Sequence, residues 1–260
     1  MKYFQLTIVF IQIFFYITPA FAIHLSFATQ NLEPYSFLNK NGEPSGPSVD
    51  IANAICEEMK ANCVIDLYPW RRAYYEVQRS RVNGVFFIGK NPEREKWLQF
   101  SPPIIQIEYG FFVHKEDKMI YERPANITGY IVGVFGPSNT SASLKKIKQE
   151  MEDFYIDMED NDESGFRKLS VKRVNAVFSN RDVGYSLIKK LKLQNIRYAG
   201  SHKKLSYFFG FNPKLTPSKW IEKFNKTYIK LYKNKKIHKI LDSYDMKPAL
   251  LDSFVSPNPP

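Results

Sequence analysis

The chain is poor in the residues that build reactive centres. Among its 260 residues are four histidines and two cysteines. His24, His114, His202 and His238 are scattered, and none has ligand spacing with Cys56 or Cys63, so no metal site is expected. There is no Gly-x-Ser-x-Gly elbow, no His-Glu-x-x-His helix and no Walker loop. No pattern calls for a cofactor. Arginine-rich tracts are missing too. The 37 Lys and Arg residues outnumber the 26 acids, for a net charge of +11, but the lysines are spread along the chain. That dispersion reads as a solvated basic surface and argues against nucleic acid as partner.

Beyond residue 22 no stretch is long and apolar enough to span a bilayer. The first 22 residues are of another kind. Lys2 precedes an apolar run from Phe4 to Ile17, broken by Gln5, Thr7 and Gln12, and Ala20-Phe21-Ala22 forms an A-x-A cleavage site. Residues 1–22 are therefore expected to be a cleavable signal peptide and the protein to be periplasmic. Pro19 and the polar residues after Ala22 argue against a retained anchor, and no cysteine at the cleavage point implies a lipid anchor. Cys56 and Cys63 then lie in an exported region, where disulfides persist. A bond between them would close a short loop, worth roughly 2.5 kcal/mol in the chain-entropy model.

Strands and helices alternate along the rest. Strands are predicted at 23–29, 64–68, 84–88 and 104–113, with helices at 48–60, capped by Ser48, and at 71–80. The pattern then restarts. Strands are predicted at 130–136, 154–158, 176–179 and 196–199, with helices after Thr140, at 162–171 and at 181–191. An extended segment at 206–212 and two closing helices follow, the first opened by Thr216-Pro217. The alternation predicts an α/β protein, and the restart predicts two similar halves. RVNGVFF (81–87) and RVNAVFS (173–179) support the repeat, each following an amphipathic helix and opening a buried strand.

At these motifs the chain resembles the periplasmic amino-acid-type solute-binding proteins of ABC importers, family 3. NGEPSGPSVDIANAI (41–55) is similar to that family's Gly-x-x-x-Gly segment leading into Val-Asp-x-Ala, carried here by Gly42, Gly46, Val49, Asp50 and Ala52. WRRAYYEVQRSRVNG (70–84), NPEREKWLQFS (91–101) and VGVFGPSNT (132–140) resemble further family segments in the same order, and the spacing of Cys56 and Cys63 matches a disulfide of some members. The resemblance implies a two-lobed α/β periplasmic-binding-protein fold of type II with two hinge strands. Lobe 1 would comprise 23–113 and 208–260, and lobe 2 would comprise 114–207. It also implies a monomeric, non-catalytic receptor that takes a small carboxylate-bearing solute, an amino acid or a derivative, to a membrane permease.

The resemblance assigns the ligand carboxylate to Arg94, whose planar guanidinium can donate two parallel bonds. Read from the residues alone, Arg94 is rather a surface cation paired with Glu93 or Glu95. Trp70 and Tyr35 match aromatic walls of the family site, or else belong to the lobe core. Ser138, Asn139 and Thr140 match a loop whose free N–H groups suit an anion, or they simply cap a helix.

Two departures stand out. Asn180 sits where amino-acid binders carry the acid that holds the ligand ammonium, and Phe86-Phe87-Ile88-Gly89-Lys90 replaces a Ser/Thr-rich run, bringing Ile88 to the site. Glu33 is a possible replacement charge or a rim residue. An enzyme on the same scaffold is the rival reading, with Glu33, Glu108 and Asp182 as acid–base candidates, and a ligand sensor with a divergent cleft is a third.

Overall fold

Each apolar run flanked by an amphipathic helix becomes a strand with its helix packed beside it. In the computed structural model, residues 23–251 are described, apart from Glu152. The expected signal peptide at 1–22 lies outside the described residues. The elements run β1 (Ile23–Gln30), β2 (Phe37–Leu38), β3 (Pro44–Ser45), α1 (Pro47–Met59), β4 (Ala61–Tyr68), α2 (Trp70–Gln78), β5 (Gly84–Gly89), α3 (Pro92–Glu95), β6 (Gln99–Phe100) and β7 (Ile105–His114). After a 3₁₀ turn at Pro124–Ile127 come β8 (Ile131–Phe135), α4 (Asn139–Glu150), β9 (Tyr155–Glu159), α5 (Asp162–Ser170), β10 (Ala176–Asn180), α6 (Arg181–Lys190), β11 (Ile196–Phe211), α7 (Ser218–Lys233) and α8 (Lys236–Asp242).

The strands join in the order β4-β1-β5-β11-β7-β10-β8-β9, with β6 on β11. The two ends of this order match. In the first, β1 pairs in parallel with β4 and β5, and β5 meets β11 antiparallel. In the second, β8 pairs in parallel with β9 and β10, and β10 meets β7 antiparallel. These are the two lobes, and β7 and β11 are the strands that join them.

The repeated Arg-Val-Asn has a structural reason. Asn83 exchanges two bonds with Ser26 of β1: its N–H donates to the Ser26 carbonyl (2.9 Å) and its Oδ1 accepts from the Ser26 N–H (2.8 Å). Asn175 does the same with Ile131 at the start of β8, at 2.8 Å both ways. Asparagine supplies a carbonyl at the one place where the chain has not yet entered the strand, so it extends the ladder by one rung in each lobe.

Most predicted elements fall within a residue or two of their observed bounds, but four readings need correction. The strand at 196–199 and the extended segment at 206–212 are one continuous strand, β11, which pairs with β7 along ten residues. Register shifts after Tyr198, Ser201 and Phe208 let it bend between lobes without breaking. Ser48 does not cap α1. Gly46 is the cap with Pro47 at the first position, and the Ser48 hydroxyl donates to the Tyr35 carbonyl instead. Nor does Thr140 cap α4, since Ser138 takes that place and exchanges side-chain bonds with Ser141. Thr216 likewise donates to the Asn83 carbonyl, leaving Pro217 at the start of α7.

The first lobe's core is aromatic. The Phe27 ring is ringed by Phe86, Phe209, Phe211 and Phe224, with centroids 5.9 to 6.0 Å away. In the second lobe Phe112 packs on Phe166 and Tyr198 at 5.1 and 5.0 Å.

Cys56 and Cys63 are bonded. The left-handed Lys60 turns the chain from α1 straight into β4, which brings the two Cα atoms to 6.1 Å. We expect unreduced protein to show no free thiol on alkylation and mass spectrometry. Replacing both cysteines by serine should lower unfolding stability by roughly 2.5 kcal/mol, read from a denaturant midpoint.

Candidate ligand site

The parallel strands of both lobes end facing one another, which is where α/β sheets place ligands. From the first lobe come Gln30 at the end of β1, Trp70 after β4, and Ile88 and Gly89 at the end of β5. From the second come Phe135 at the end of β8, Asp162 after β9, and Ser179 and Asn180 at the end of β10. Arg94, Ser138, Asn139 and Thr140 complete a cavity of about 40 Å³ with Tyr109 and Tyr207 of the joining strands. It adjoins a larger outer cavity of about 410 Å³ that shares Trp70, Phe135 and Asp162 and adds Glu33, Asp160 and Glu163.

Arg94 sits on the short helix α3, which Pro92 opens and Asn91 caps by accepting the Arg94 N–H at 2.9 Å. The residue is only 6 % exposed. Its Nη1 donates to the Gly89 carbonyl at 2.6 Å, and its guanidinium carbon lies 5.2 and 5.3 Å from the Trp70 and Tyr74 rings. The alternative surface pairing does not form: Glu95 binds Lys90 at 2.9 Å, and no described carboxylate lies within 4 Å of the Arg94 guanidinium. Backbone and aromatic faces hold the group and leave its charge unpaired.

In the second lobe the α4 start is both cap and wall. Ser138 donates to Phe135 O at 2.7 Å and accepts from Ser141 N at 3.0 Å. Asn139 reaches across the cleft, accepting from Asn91 Nδ2 at 3.1 Å and donating to Tyr109 Oη at 3.4 Å. It stands so close to Gly89 that any side chain there would displace it. The first N–H groups of α4, those of Asn139 and Thr140, have no partner within the helix.

Trp70, Ile88, Arg94, Ser138, Asn139, Thr140 and Asn180 thus line one cavity. Tyr35 does not. It is fully buried against Phe87 and Tyr207, and its hydroxyl donates across the cleft to Asn180 Oδ1 (3.1 Å) and Asp182 Oδ2 (2.8 Å). Burial first, then the Asp182 charge, push that hydroxyl well above 10, so it stays a donor. An aromatic at this position is therefore a strut behind the wall. Asp182 and Glu108 lie beyond it, lining a separate groove, and Glu108 accepts from Tyr198 at 2.5 Å. Glu33 lines the outer cavity only.

Sequence reasoning missed Asp162, Tyr109 and Tyr207. The last two come from the joining strands, where nothing in the local pattern marks which residue turns to the cleft. Asp162 did leave a signal. It is the first residue of α5 after β9, the place that Trp70 holds on α2 after β4, so the internal repeat carries one site residue onto the other. Asp162 accepts from Ser179 Oγ at 3.1 Å. Burial raises its carboxyl from an ordinary 3.8 to about 6, and the Ser179 bond only partly opposes this.

Residues 25–247 match the profile of the bacterial extracellular solute-binding proteins, family 3. The chain belongs to that family. An arginine-binding periplasmic protein of Mannheimia haemolytica is 21 % identical over 220 residues, covering 81 % of this chain and 86 % of that one. Among solved structures, this solute-binding protein is similar to an ancestral arginine-binding protein bound to arginine, with a TM-score of 0.75, 22 % identity and coverage of 85 % of this chain and 97 % of the other. It is also similar to a histidine kinase sensor domain with similarity to periplasmic binding proteins, with a TM-score of 0.76, 17 % identity and coverage of 86 % and 95 %. At these identities the structural likeness establishes the fold: mixed α/β, two lobes, two joining strands.

The Asp162 shift carries a stability consequence. Between pH 4 and about 6 the folded protein holds a proton that the unfolded chain releases, so stability falls as pH rises through that window. Asp162→Asn should remove this component. The difference in melting temperature between variant and wild type should therefore be small near pH 4 and favour the variant above pH 6. A pH-independent difference would assign the shift elsewhere.

Proposed function

We propose that this protein is a monomeric periplasmic receptor that captures a small carboxylate-bearing solute, an amino acid or a derivative, and presents it to the permease of an ABC importer. The observation that carries the reading is Arg94: buried, fixed by the Gly89 carbonyl, lying against Trp70, and without a described carboxylate partner at a cavity between lobes. Such a group meets a ligand carboxylate with two parallel bonds. Ser138, Asn139 and Thr140 supply the opposing wall, and the helix N–H groups there favour the same negative charge. Trp70 and Ile88 give apolar contact, and Asn180 supports the wall through Tyr35. Membership of a solute-binding family and the periplasmic arginine-binding relative agree with this reading.

Lobe 1 would comprise 23–113 and 208–260, and lobe 2 would comprise 114–207. The register shift after Phe208 supports the second limit. A cavity of about 40 Å³ holds only a few waters, so a solute enters as the lobes part and is enclosed as they return. The acid–base candidates of the enzyme reading, Glu33, Glu108 and Asp182, do not line this inner cavity, which favours binding over catalysis.

A thermal-shift screen of amino acids, keto acids and short peptides should yield a carboxylate ligand. Calorimetry should then show Arg94→Ala weakening its binding by about 2–5 kcal/mol, with Arg94→Lys recovering only part. Undiminished binding by Arg94→Ala would make Arg94 structural. Small-angle scattering should show a smaller radius of gyration at saturating ligand, and an unchanged radius would exclude closure around the solute.

A further inference from the structure

Two charges of opposite sign face the inner cavity from opposite lobes. Arg94 comes from the first lobe and Asp162 from the second. Neither lies within 4 Å of an opposite charge among the described residues, the other included. The protein gives Arg94 a carbonyl and two aromatic faces, and gives Asp162 one serine hydroxyl. Arg94 is buried and Asp162 half-buried, and charges drawn even partly away from water without a partner are costly. Two of them, at opposite walls of one space, give that space a positive and a negative end.

Asn180 cannot provide the negative end. It is an amide, and its Oδ1 already accepts from Tyr35 Oη, Asp182 N and Val183 N, while its Nδ2 donates to Tyr207 Oη. Its bonds are spent on capping α6 and tying it to Tyr35. The acceptor missing at Asn180 is present nearby, since Ser179 at the end of β10 donates to Asp162 at the start of α5.

We infer that Asp162 is the specificity-determining residue of this site, receiving a cationic nitrogen of the solute while Arg94 holds its carboxylate. The solute is then a zwitterion or a carboxylate carrying a further cationic nitrogen, and a plain carboxylate is rejected because it leaves Asp162 desolvated and unpaired. Asp162 also lines the outer cavity with Glu33, while the neighbouring Asp160 and Glu163 are paired with Arg71 and Arg167. The Asp162 carboxylate therefore faces both spaces, and a nitrogen at some distance from the carboxylate of the solute is accommodated in the outer one. The raised carboxyl of Asp162 fits this picture, because burial penalises its charge until a cation arrives.

The inference rests on the carboxylate reading above, and its test is separable from it. L-arginine, L-citrulline and 5-guanidinopentanoate would be titrated into the full-length exported protein by calorimetry. L-citrulline lacks the distal charge of L-arginine, and 5-guanidinopentanoate lacks its α-ammonium. Wild type should favour L-arginine by about tenfold or more over one of the two. In Asp162→Asn and in Asp162→Ser that preference should collapse to near one. Thermal melting of each variant reports its fold. An unaltered preference in both folded variants, or a wild type that binds L-arginine no better than either comparison compound, overturns the assignment. The carboxylate reading fails by a different result, when Arg94→Ala binds L-arginine as well as wild type does.

Discussion

A guanidinium held away from water with no carboxylate to face is the constraint around which this site is arranged. Arg94 is buried, and burial of a lone charge is unfavourable. The neighbourhood offsets this without neutralising it. Gly89 ends its strand with a free carbonyl, and Trp70 and Tyr74 present the faces of their rings. Each of these is an acceptor or a quadrupole, and none is an anion. Asn91 and Pro92 shape a helix of four residues whose role is to hold one side chain in place. The acids on either side of Arg94 are directed away, with Glu95 spent on Lys90. Local sequence of alternating sign thus yields an unneutralised cation, because the helix geometry separates neighbours that look paired on paper.

The opposite wall follows the same plan with different chemistry. Each lobe runs a strand into a helix whose first residue faces the cleft, Trp70 in one and Asp162 in the other. Repetition of the backbone provides the positions, and divergence of the side chains provides the polarity. The lobes also touch directly. Tyr35 donates to Asn180 and Asp182, Asn91 to Asn139, and Arg71 to Asp160 at 3.1 Å on the exposed rim. The buried Tyr35 bonds contribute more to holding the lobes together than the rim pair, which is screened by solvent.

Much of this was legible in the chain. Strand–helix alternation and the restart from residue 130 implied two α/β units, and the Arg-Val-Asn repeat marked equivalent strands, in which Asn83 and Asn175 make the same pair of bonds. Seven of the eight residues singled out line one cavity, because they sit at strand ends, which sequence pattern locates well. Tyr35 misled because an aromatic near a strand end suits a wall and a strut equally, and the difference lies in whether its hydroxyl finds an acceptor across the cleft. The continuity of β11 was not legible. Its polar middle, Gly200 to Lys204, reads as a loop, and it is a strand because β7 provides a ladder for it. Tyr109 and Tyr207 were hidden for the same reason, since pairing between distant strands decides which face they show.

The path of the chain through β7 and β11 sets an order of assembly. Strands β8, β9 and β10 and the helices between them are consecutive, so the second lobe has its whole sheet interior on one uninterrupted stretch. The first lobe does not. Phe27, near its beginning, waits for Phe209, Phe211 and Phe224, which arrive almost two hundred residues later. As the chain emerges in synthesis the second lobe is complete while the first still exposes half an aromatic cluster. The pair of joining strands is thus also a seam in time, and Phe224 of the late helix α7 covers Phe27 of the first strand.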